Sequence, residues 1–284
     1  MKSLDHFVLM VEDQEAARER YQRLGFHVRP TALHIELGST NAVVIFPETY
    51  IELLYLGDSK AILRDQYLAR FACGPGLAHV SLTATELAEE DKRLKALGYT
   101  PGPLGSARRK VIMPDGREDE TDSNYLYNWR PEHRFLSLFF SEHKKPHAIF
   151  IDGYFDHPNG ARGIAGTVAM SQDPAADLAY FEDAYGGKAE TVGPDGFTMR
   201  GGRGDTFEVL SVAAANARFG DLLAPRTVEP LGAFPVAIRY RVDDLARTAD
   251  CLAKNGVATV SLDGGLAIAA ADAEGTIQIF QTAG

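Results

Sequence analysis

A strand followed by a helix recurs four times along this sequence, and this repeat limits the possible folds more than any other feature does. The first copy is a β-rich run from Leu4 that enters a helical stretch through Asp13, a residue suited to cap a helix, and ends at Gly25. The second copy starts at Leu77 and ends at Gly98. In both copies a strand histidine stands 19 positions before the closing glycine, a residue that often ends helices in the left-handed conformation. This fixed spacing predicts repeated copies of one supersecondary unit.

The third and fourth copies keep the pattern without the histidines. A strand over residues 164–170 leads into Asp173 and Pro174, which suit the N-cap and the first helical position. A strand over residues 235–242 leads into a helix that ends at Gly256. Each helix is followed by roughly 25 to 45 residues of apolar segments broken by Gly, Pro and Asp, which predicts three strands joined by tight turns.

This order predicts an α+β fold of four βαβββ modules, paired into two domains with curved mixed sheets. One module is too small to bury both faces of its sheet, so the modules should pack in pairs. Residues 146–163 are rich in Pro, Gly, His and Asp and are expected to form a linker. We therefore expect an N-terminal pair over residues 1–145 and a C-terminal pair over residues 164–284, in a protein that is a monomer or a homodimer.

Composition argues against several classes of partner. The net charge is −10 and the longest basic run is Arg108-Arg109-Lys110, whereas nucleic-acid binding depends on clustered Lys and Arg. No stretch approaches about 18 apolar residues, so no membrane partner is expected. The cysteines, Cys73 and Cys251, lie in different halves, which favours free thiols in a cytoplasmic protein. A small molecule is the expected ligand.

Two histidines, His6 and His79, occupy the same position of the first strand in modules one and two. Pairing of the modules about a pseudo-twofold axis would bring these strands together. Glu52 lies in the apolar last strand of module one, where an ionised carboxylate is costly unless a cation or hydrogen-bond donors compensate it. Two imidazoles and one carboxylate are the set that holds a divalent ion with open coordination positions. The alternative is a hydrogen-bonded polar cluster where the two modules meet.

The last strand of module two supplies the fourth candidate ligand, Glu142, with His143 as the alternative because neighbours on a strand face opposite ways. The irregular spacing of His143, His147 and His157 favours solvated histidines over another metal site. Four side chains would contact a substrate if they point into the same cup, and are surface or hairpin residues otherwise: Asn41, Arg109, Asn124 and Tyr127. The arginine would suit a carboxylate or a phosphate.

The strand-one histidines and the Tyr-Ile-Glu-Leu-Leu strand resemble the metal cup of the vicinal oxygen chelate (glyoxalase/bleomycin-resistance) superfamily. Further segments resemble its glyoxalase-like domain branch: Leu4-Asp5-His6, Leu24-Gly25-Phe26, His34 with Gly38-Ser39-Thr40-Asn41, Arg109-Lys110 with Pro114-Asp115-Gly116, residues 139–143, and His157-Pro158-Asn159-Gly160-Ala161. The resemblance covers modules one and two and the linker.

This resemblance implies a divalent metal ion (Zn, Ni, Mn or Fe) held by four side chains: His6, Glu52, His79 and Glu142. It also implies lyase or isomerase chemistry on a substrate with adjacent oxygens, in which the metal is a Lewis acid and Glu142 or Glu52 is the base. The competing prediction is a metal-free protein that sequesters a small hydrophobic compound in the same cup, as resistance proteins of the superfamily do.

The C-terminal pair departs from the pattern. The strand-one position is Gly166 or Thr167 in module three and Ala237 in module four, whereas Glu208 and Gln278 remain in the last strands. Extradiol dioxygenases of the superfamily carry their iron in the C-terminal pair, so this departure makes that activity the less favoured prediction. The C-terminal pair is expected to be degenerate and to buttress the first.

Overall fold

A computed structural model of the chain describes residues 1–60, 64–130, 137–226 and 231–282. The N-terminal half forms one sheet of eight strands: β1 (Leu4–Met10), β2 (Ala32–Leu33), β3 (Thr40–Ile45), β4 (Tyr50–Tyr55), β5 (Gly76–Thr83), β6 (Leu104–Ile112), β7 (Glu118–Tyr127) and β8 (Ser137–His143). Three helices accompany this sheet: α1 (Gln14–Arg23), α2 (Arg64–Phe71) and α3 (Leu87–Ala96).

The C-terminal half forms a second eight-stranded sheet: β9 (Ala161–Ser171), β10 (Thr191–Gly193), β11 (Gly196–Arg200), β12 (Thr206–Ser211), β13 (Phe234–Val242), β14 (Val260–Leu262), β15 (Gly265–Ile268) and β16 (Ile277–Thr282). Its helices are α4 (Pro174–Tyr185), α5 (Val212–Phe219) and α6 (Leu245–Lys254). No helix in the described part of the chain is both long and apolar enough to span a lipid bilayer. The predicted C-terminal domain ends at residue 284, and residues 283–284 lie outside the described ranges.

Both sheets have the same strand order. It is β2-β3-β4-β1-β5-β8-β7-β6 in the first sheet and β10-β11-β12-β9-β13-β16-β15-β14 in the second. The first strands of paired modules, β1 with β5 and β9 with β13, lie antiparallel at the centre. Each of them is parallel to the last strand of its own module. This topology confirms the predicted α+β fold of paired βαβββ modules.

Helix ends follow the capping residues that the repeat predicts. Asp13 accepts hydrogen bonds of 3.0 and 2.9 Å from two backbone N–H groups of the first turn of α1, and Gly25 follows that helix with φ +81°. Asp173 caps α4 in the same way, and Gly186 ends it with φ +68°. Glycine is favoured at such ends because it adopts the left-handed conformation without a Cβ clash.

Strand β1 is buried on both faces. Phe7 and Leu9 point to the helix side, where they share an apolar core with Tyr21 of α1. Because successive side chains of a strand alternate, His6 and Val8 point to the concave side of the sheet. The strand thus places an imidazole in a buried polar environment and anchors it with apolar packing on the reverse face.

Two helices, α2 and α5, go beyond the predicted pattern, which has only strands after each module's first helix. Each of them follows the last strand of a module, after β4 and after β12. Helix α2 lies against the concave face of the N-terminal sheet, because its buried Tyr67 packs on His79 with ring centroids 4.6 Å apart. The helix therefore covers one end of that concave face.

The segment predicted as a linker, residues 146–163, packs where the two halves meet. The backbone N–H of Asn159 donates to the carbonyl of Gly25 at 3.1 Å, and its side-chain amide donates to the preceding carbonyl at 2.9 Å. His157 has no exposed surface: its Nδ1 accepts from the N–H of His27 at 3.0 Å, and its Nε2 donates to the carbonyl of Ile45 at 3.1 Å. The prediction of a solvated His157 is therefore wrong, because this segment folds between the halves instead of crossing solvent.

Candidate functional site

A cavity of about 1000 Å³, its open mouth included, lies on the concave face of the N-terminal sheet. The strand register builds it. His6 pairs with Tyr50 of β4 and Val8 pairs with Glu52, so these four side chains point to the same side. One end of the cavity wall is polar, and its members are His6, His34, Ser39, Asn41, Tyr50, Glu52, Arg109, Thr121, Ser123, Asn124, Ser141 and His143.

Asp5 holds two histidines of this wall. Its Oδ1 lies 2.6 Å from Nδ1 of His6 and 2.9 Å from Nε2 of His143. Asp5 and His6 are sequence neighbours, yet they meet because β1 bulges at Asp5 where it pairs with β5. His143 arrives from the end of β8, and its Nδ1 lies 2.7 Å from Oγ of Ser123 on β7.

The Asp5 carboxylate sets the chemistry of this group. Burial alone would raise its pKa, but the charges and hydrogen bonds of His143 and His6 hold the pKa of that carboxyl well below its usual range. An ionised Asp5 accepts from Nδ1–H of His6, which makes Nε2 the acceptor nitrogen of that ring. Ligand atoms from Asp5, His6 and His143 all lie within 4.8 Å of one another. Two imidazole nitrogens and a carboxylate oxygen suit a divalent transition metal, so this buried donor set fits such an ion.

Glu52 belongs to a second polar group in the same wall. Nδ2 of Asn41 donates to Oε1 of Glu52 at 2.8 Å, and Nε2 of His34 lies 3.4 Å from the same oxygen. Nδ1 of His34 lies 2.9 Å from Oγ of Ser39. Burial lowers the pKa of His34, although the nearby charge of Glu52 opposes this shift. The carboxylate is thus oriented by an amide in a buried position, as a general base requires.

Arg109 brings a buried positive charge to this wall. It is 6% exposed, and its Nη1 donates to Oδ1 of Asn41 at 3.0 Å. Burial and the nearby charge of Arg29 lower the pKa of Arg109 to about 10, so it remains a cation at neutral pH. Because side chains alternate along β6, the neighbouring Arg108 points to the other face of the sheet, where its side chain is 44% exposed.

The other end of the cavity is apolar and aromatic. Tyr67 of α2 and Tyr127 of β7 meet there with their hydroxyl oxygens 2.7 Å apart, and burial raises the pKa of both well above the ordinary value. Val8, Leu54 and Phe139 extend this surface. A ligand with an apolar body would lose its contact with water at this end.

The side chains predicted as metal ligands are not all gathered at one point. His6 and Glu52 line the cavity. His79 lies in the same row of the sheet as Glu52, because Val8 pairs with both of them. Its ring, however, is fully buried among three aromatic rings of the apolar end, at centroid distances of 4.6, 5.4 and 5.5 Å. Of the predicted four, His6 alone belongs to the donor group within 4.8 Å.

Glu142 points away from the concave side, as strand alternation requires of the residue beside His143. Its Oε2 accepts from Nδ2 of Asn124 at 3.3 Å. His143, the alternative to Glu142, is the residue that lines the cavity, and its side chain is 9% exposed. The prediction that His143 is solvated is therefore wrong. The four predicted substrate contacts all border the cavity: Asn41, Arg109, Asn124 and Tyr127. Asn124, however, pairs with Glu142 across the sheet and bonds to it, so its side chain lies on the same face as Glu142, away from the concave side.

The sequence pattern missed Asp5 and Ser123. Period-two alternation places Asp5 on the face opposite His6, and only the bulge in β1 brings the two side chains together. An acid directly beside a strand histidine was the available signal. Ser123 is one of many serines in the sequence, so nothing in its spacing could have singled it out.

The C-terminal sheet lacks an equivalent donor group among its described residues. At Gly166 an added Cβ would lie 2.0 Å from the carbonyl oxygen of Thr206, so this strand-one position excludes any side chain. Glu208 is paired with Arg218 at 2.8 Å and with Arg239 at 3.9 Å. Two arginines therefore neutralise the carboxylate of Glu208, so its charge needs no metal ion for compensation.

Comparison with known proteins agrees with this architecture. The glyoxalase-like domain family matches residues 4–183, whereas no curated protein matches the chain. A hypothetical protein from Staphylococcus aureus is similar in structure over 100% of both chains, with a TM-score of 0.70 and 11% identity. A triple mutant of 4-hydroxymandelate synthase from Streptomyces coelicolor is similar over 99% of this chain and 93% of its own, with a TM-score of 0.60 and 9% identity.

A third similar structure is a xylose isomerase-like TIM barrel/4-hydroxyphenylpyruvate dioxygenase fusion protein. It matches 91% of this chain with 40% of its own length, at a TM-score of 0.52 and 16% identity. At these identities the likeness shows the fold alone.

Proposed function

Since this chain belongs to the glyoxalase-like domain family, and so to the vicinal oxygen chelate superfamily, we propose that it is a small-molecule lyase or isomerase whose active site is the cavity of the N-terminal sheet. The observation that supports this most is the buried group of Asp5, His6 and His143 in the same wall as the oriented carboxylate of Glu52. A cation site beside a base is what proton removal next to a carbonyl group requires.

Asp5, His6 and His143 would hold a divalent cation. Zn, Ni, Mn or Fe would suit these donors and would supply Lewis-acid polarisation of two adjacent substrate oxygens. The carboxylate of Asp5 contacts the two imidazoles at 2.6 and 2.9 Å, and a cation bound to Nε2 of His143 would replace the second of these contacts. Ser123 fixes the second nitrogen of His143 and so its ring orientation.

Glu52 is the residue that we assign to proton transfer. Its carboxylate takes a proton from the carbon next to the substrate carbonyl, the C–H electron pair forms a C=C bond, and the carbonyl oxygen takes the negative charge. When the carbon that lost the proton bears a hydroxyl group, its O–H proton passes to the former carbonyl oxygen and its C–O bond becomes C=O. Return of the carbon-bound proton from the Glu52 carboxyl to the former carbonyl carbon then completes an isomerisation. Asn41 orients the base through its 2.8 Å hydrogen bond, which fixes the direction from which the proton is taken.

Proton exchange in D₂O tests this assignment without knowledge of the product. We expect the protein, loaded with Zn²⁺ or Mn²⁺, to exchange the carbon-bound proton next to the carbonyl in at least one member of a panel of α-hydroxy ketones and α-keto acids, followed by ¹H NMR. Glu52→Gln should slow this exchange by about 100-fold or more. Glu48→Gln is the matched control, because Glu48 lies nearby in sequence with a side chain 64% exposed.

Unchanged exchange in Glu52→Gln would remove Glu52 from the mechanism, and no exchange by the loaded wild type across the panel would contradict the proposed chemistry. The competing function is metal-free sequestration, which the aromatic end of the cavity favours. Metal content separates the two. Stoichiometric metal in protein purified without chelator, lost in His6→Ala, supports the enzyme, whereas metal-free protein that still binds a ligand supports sequestration.

A further inference from the structure

We infer that Arg109 gives the cavity a subsite for a single carboxylate group, so that its ligands are small monocarboxylates with an apolar or aromatic body. This inference deepens the proposed function and rests on it, since the subsite belongs to the same cavity. Its test, however, measures equilibrium binding and needs no turnover.

Arg109 forms no direct ion pair in the described part of the chain: no carboxylate oxygen there lies within 4.0 Å of its guanidinium, and the charge of Glu52 acts on it only from a greater distance. A guanidinium has five N–H donors, and here one bond is formed, from Nη1 to Asn41 at 3.0 Å. A buried cation without an ion pair is costly, and a bound anion would compensate it. Because Arg109 lines the cavity, that anion would come from the ligand.

Asn41 lies between Arg109 and the buried carboxylate of Glu52, so Glu52 does not pair directly with the guanidinium. Its Oδ1 accepts from Arg109 while its Nδ2 donates to Glu52, so one amide stands between the two charges. The remaining N–H groups of the guanidinium are left for a ligand. Their planar fork matches the two oxygens of a carboxylate.

The charges around this subsite favour a ligand group with one negative charge over a ligand group with two. A second buried arginine, Arg29, is 4% exposed and lies near enough for its charge to lower the pKa of Arg109. Its guanidinium lies over the ring of Tyr154 at 4.8 Å, outside the cavity wall. On the cavity side, however, a ligand dianion would face the carboxylate of Glu52. A carboxylate therefore suits this subsite better than a phosphate does.

The apolar end of the cavity determines the rest of the ligand. Val8, Tyr127 and Phe139 belong to one buried apolar cluster that lines the cavity across from the polar wall. An aromatic or branched aliphatic body would bury its surface there, at about 25 cal/mol per Å² of apolar area removed from water. Trp129, the single tryptophan of the sequence, packs against this cluster and gives an optical signal for occupancy.

Matched probes test the subsite on the full-length protein. Phenylacetate and phenylacetamide have nearly the same shape but differ in charge, and inorganic phosphate serves as the dianion. Binding would be measured by the fluorescence of Trp129 and by calorimetry. We expect phenylacetate to bind about tenfold or more tightly than phenylacetamide, and phosphate to bind more weakly than phenylacetate. Arg109→Gln should abolish the preference for the charged probe, and Arg109→Lys should restore part of it.

Arg108→Gln is the control, because Arg108 is the adjacent arginine on the exposed face, paired with Glu36 at 2.6 Å. It should leave the preference for phenylacetate unchanged. Equal binding of the two aromatic probes by the wild type would overturn the inference. So would a preference that survives in Arg109→Gln, or a failure of phenylacetate to bind with a Kd on the order of 1 mM. None of these results depends on proton exchange, so the inference and the proposed function can fail separately.

Discussion

Nε2 of His143 lies 2.9 Å from Oδ1 of Asp5, although 138 residues separate the two in the sequence. The contact joins the first strand of module one to the last strand of module two through β5, which lies between them in the sheet. His6 completes the group from the same strand as Asp5. The donor group thus depends on both modules of the N-terminal pair.

Asp5→Asn should weaken the binding of Zn²⁺ or Co²⁺ by about tenfold or more, because an amide lacks the charge and orients the imidazoles less strongly. His143→Gln should weaken it as well, since it removes a nitrogen donor. Calorimetric titration of the chelator-treated protein measures both effects. The matched control is His147→Gln, whose histidine is on the same segment but 62% exposed. Equal affinity in Asp5→Asn and in the wild type would place the cation elsewhere.

Glu208→Gln should leave the cation affinity within about twofold of the wild-type value. The reason is that Glu208 is neutralised by Arg218 at 2.8 Å and that the neighbouring strand-one position, Gly166, excludes a side chain. The same titration tests this prediction. A loss of affinity comparable to that of Asp5→Asn would mean that the C-terminal sheet holds a site of its own.

Stability should depend on His157 below neutral pH. Burial lowers the pKa of His157 to about 4, from 6.5 for an unperturbed histidine. The unfolded chain therefore takes up the proton first, and the free energy of unfolding falls as the pH drops from about 6.5 to about 4, where the loss levels off. The full loss from this one residue is on the order of 3 kcal/mol.

Urea unfolding at pH 7, 5 and 4 would measure this loss. His157→Gln should be less stable than the wild type at pH 7, because His157 bonds to both His27 and Ile45, but its stability should fall less towards pH 4. The exposed His147→Gln should retain the wild-type pH dependence. Identical pH profiles for wild type and His157→Gln would show that His157 is not the residue responsible.

Gly25→Ala should cost more stability than Gly98→Ala, although both glycines end the first helix of their module with positive φ, +81° and +89°. An added Cβ at Gly25 would lie 2.7 Å from Sγ of Cys251 and 2.9 Å from Cβ of Asn159, whereas nothing lies within 4 Å of one at Gly98. The backbone strain of about 1 kcal/mol is common to both, and overpacking should add about 1–3 kcal/mol at Gly25. Equal midpoints in urea unfolding would show that this contact between the halves relaxes freely.

The fold was predictable because its signals are local and repeated. Asp13 and Gly25 mark the ends of one helix through backbone chemistry alone, and the spacing recurs in the second module. Helices α2 and α5 follow the last strand of a module, so the repeat of a first strand and its helix did not predict them. The number of strands in each sheet followed from module pairing, which the sequence makes visible.

The site was predictable only in part, because it depends on side-chain geometry rather than on position in the repeat. His6, Glu52 and His79 do lie on one face of the sheet, as equivalent positions should. Yet Glu52 accepts a hydrogen bond from Asn41, and the His79 ring packs among aromatic rings. These contacts depend on side chains from elements that are distant in the sequence. The bulge that brings Asp5 to His6 interrupts the alternation of side chains along β1. A prediction that assumes strict alternation therefore places Asp5 on the wrong face.

The position of a bound cation would show whether Asp5, His6 and His143 together hold a metal ion. Crystals grown with Zn²⁺ and measured at the zinc absorption edge would give an anomalous difference map of the N-terminal cavity. We expect a peak about 2.0–2.2 Å from donor atoms of Asp5, His6 and His143. A peak held instead by His6, Glu52 and His79, or a cavity without a peak in zinc-saturated crystals, would contradict this expectation.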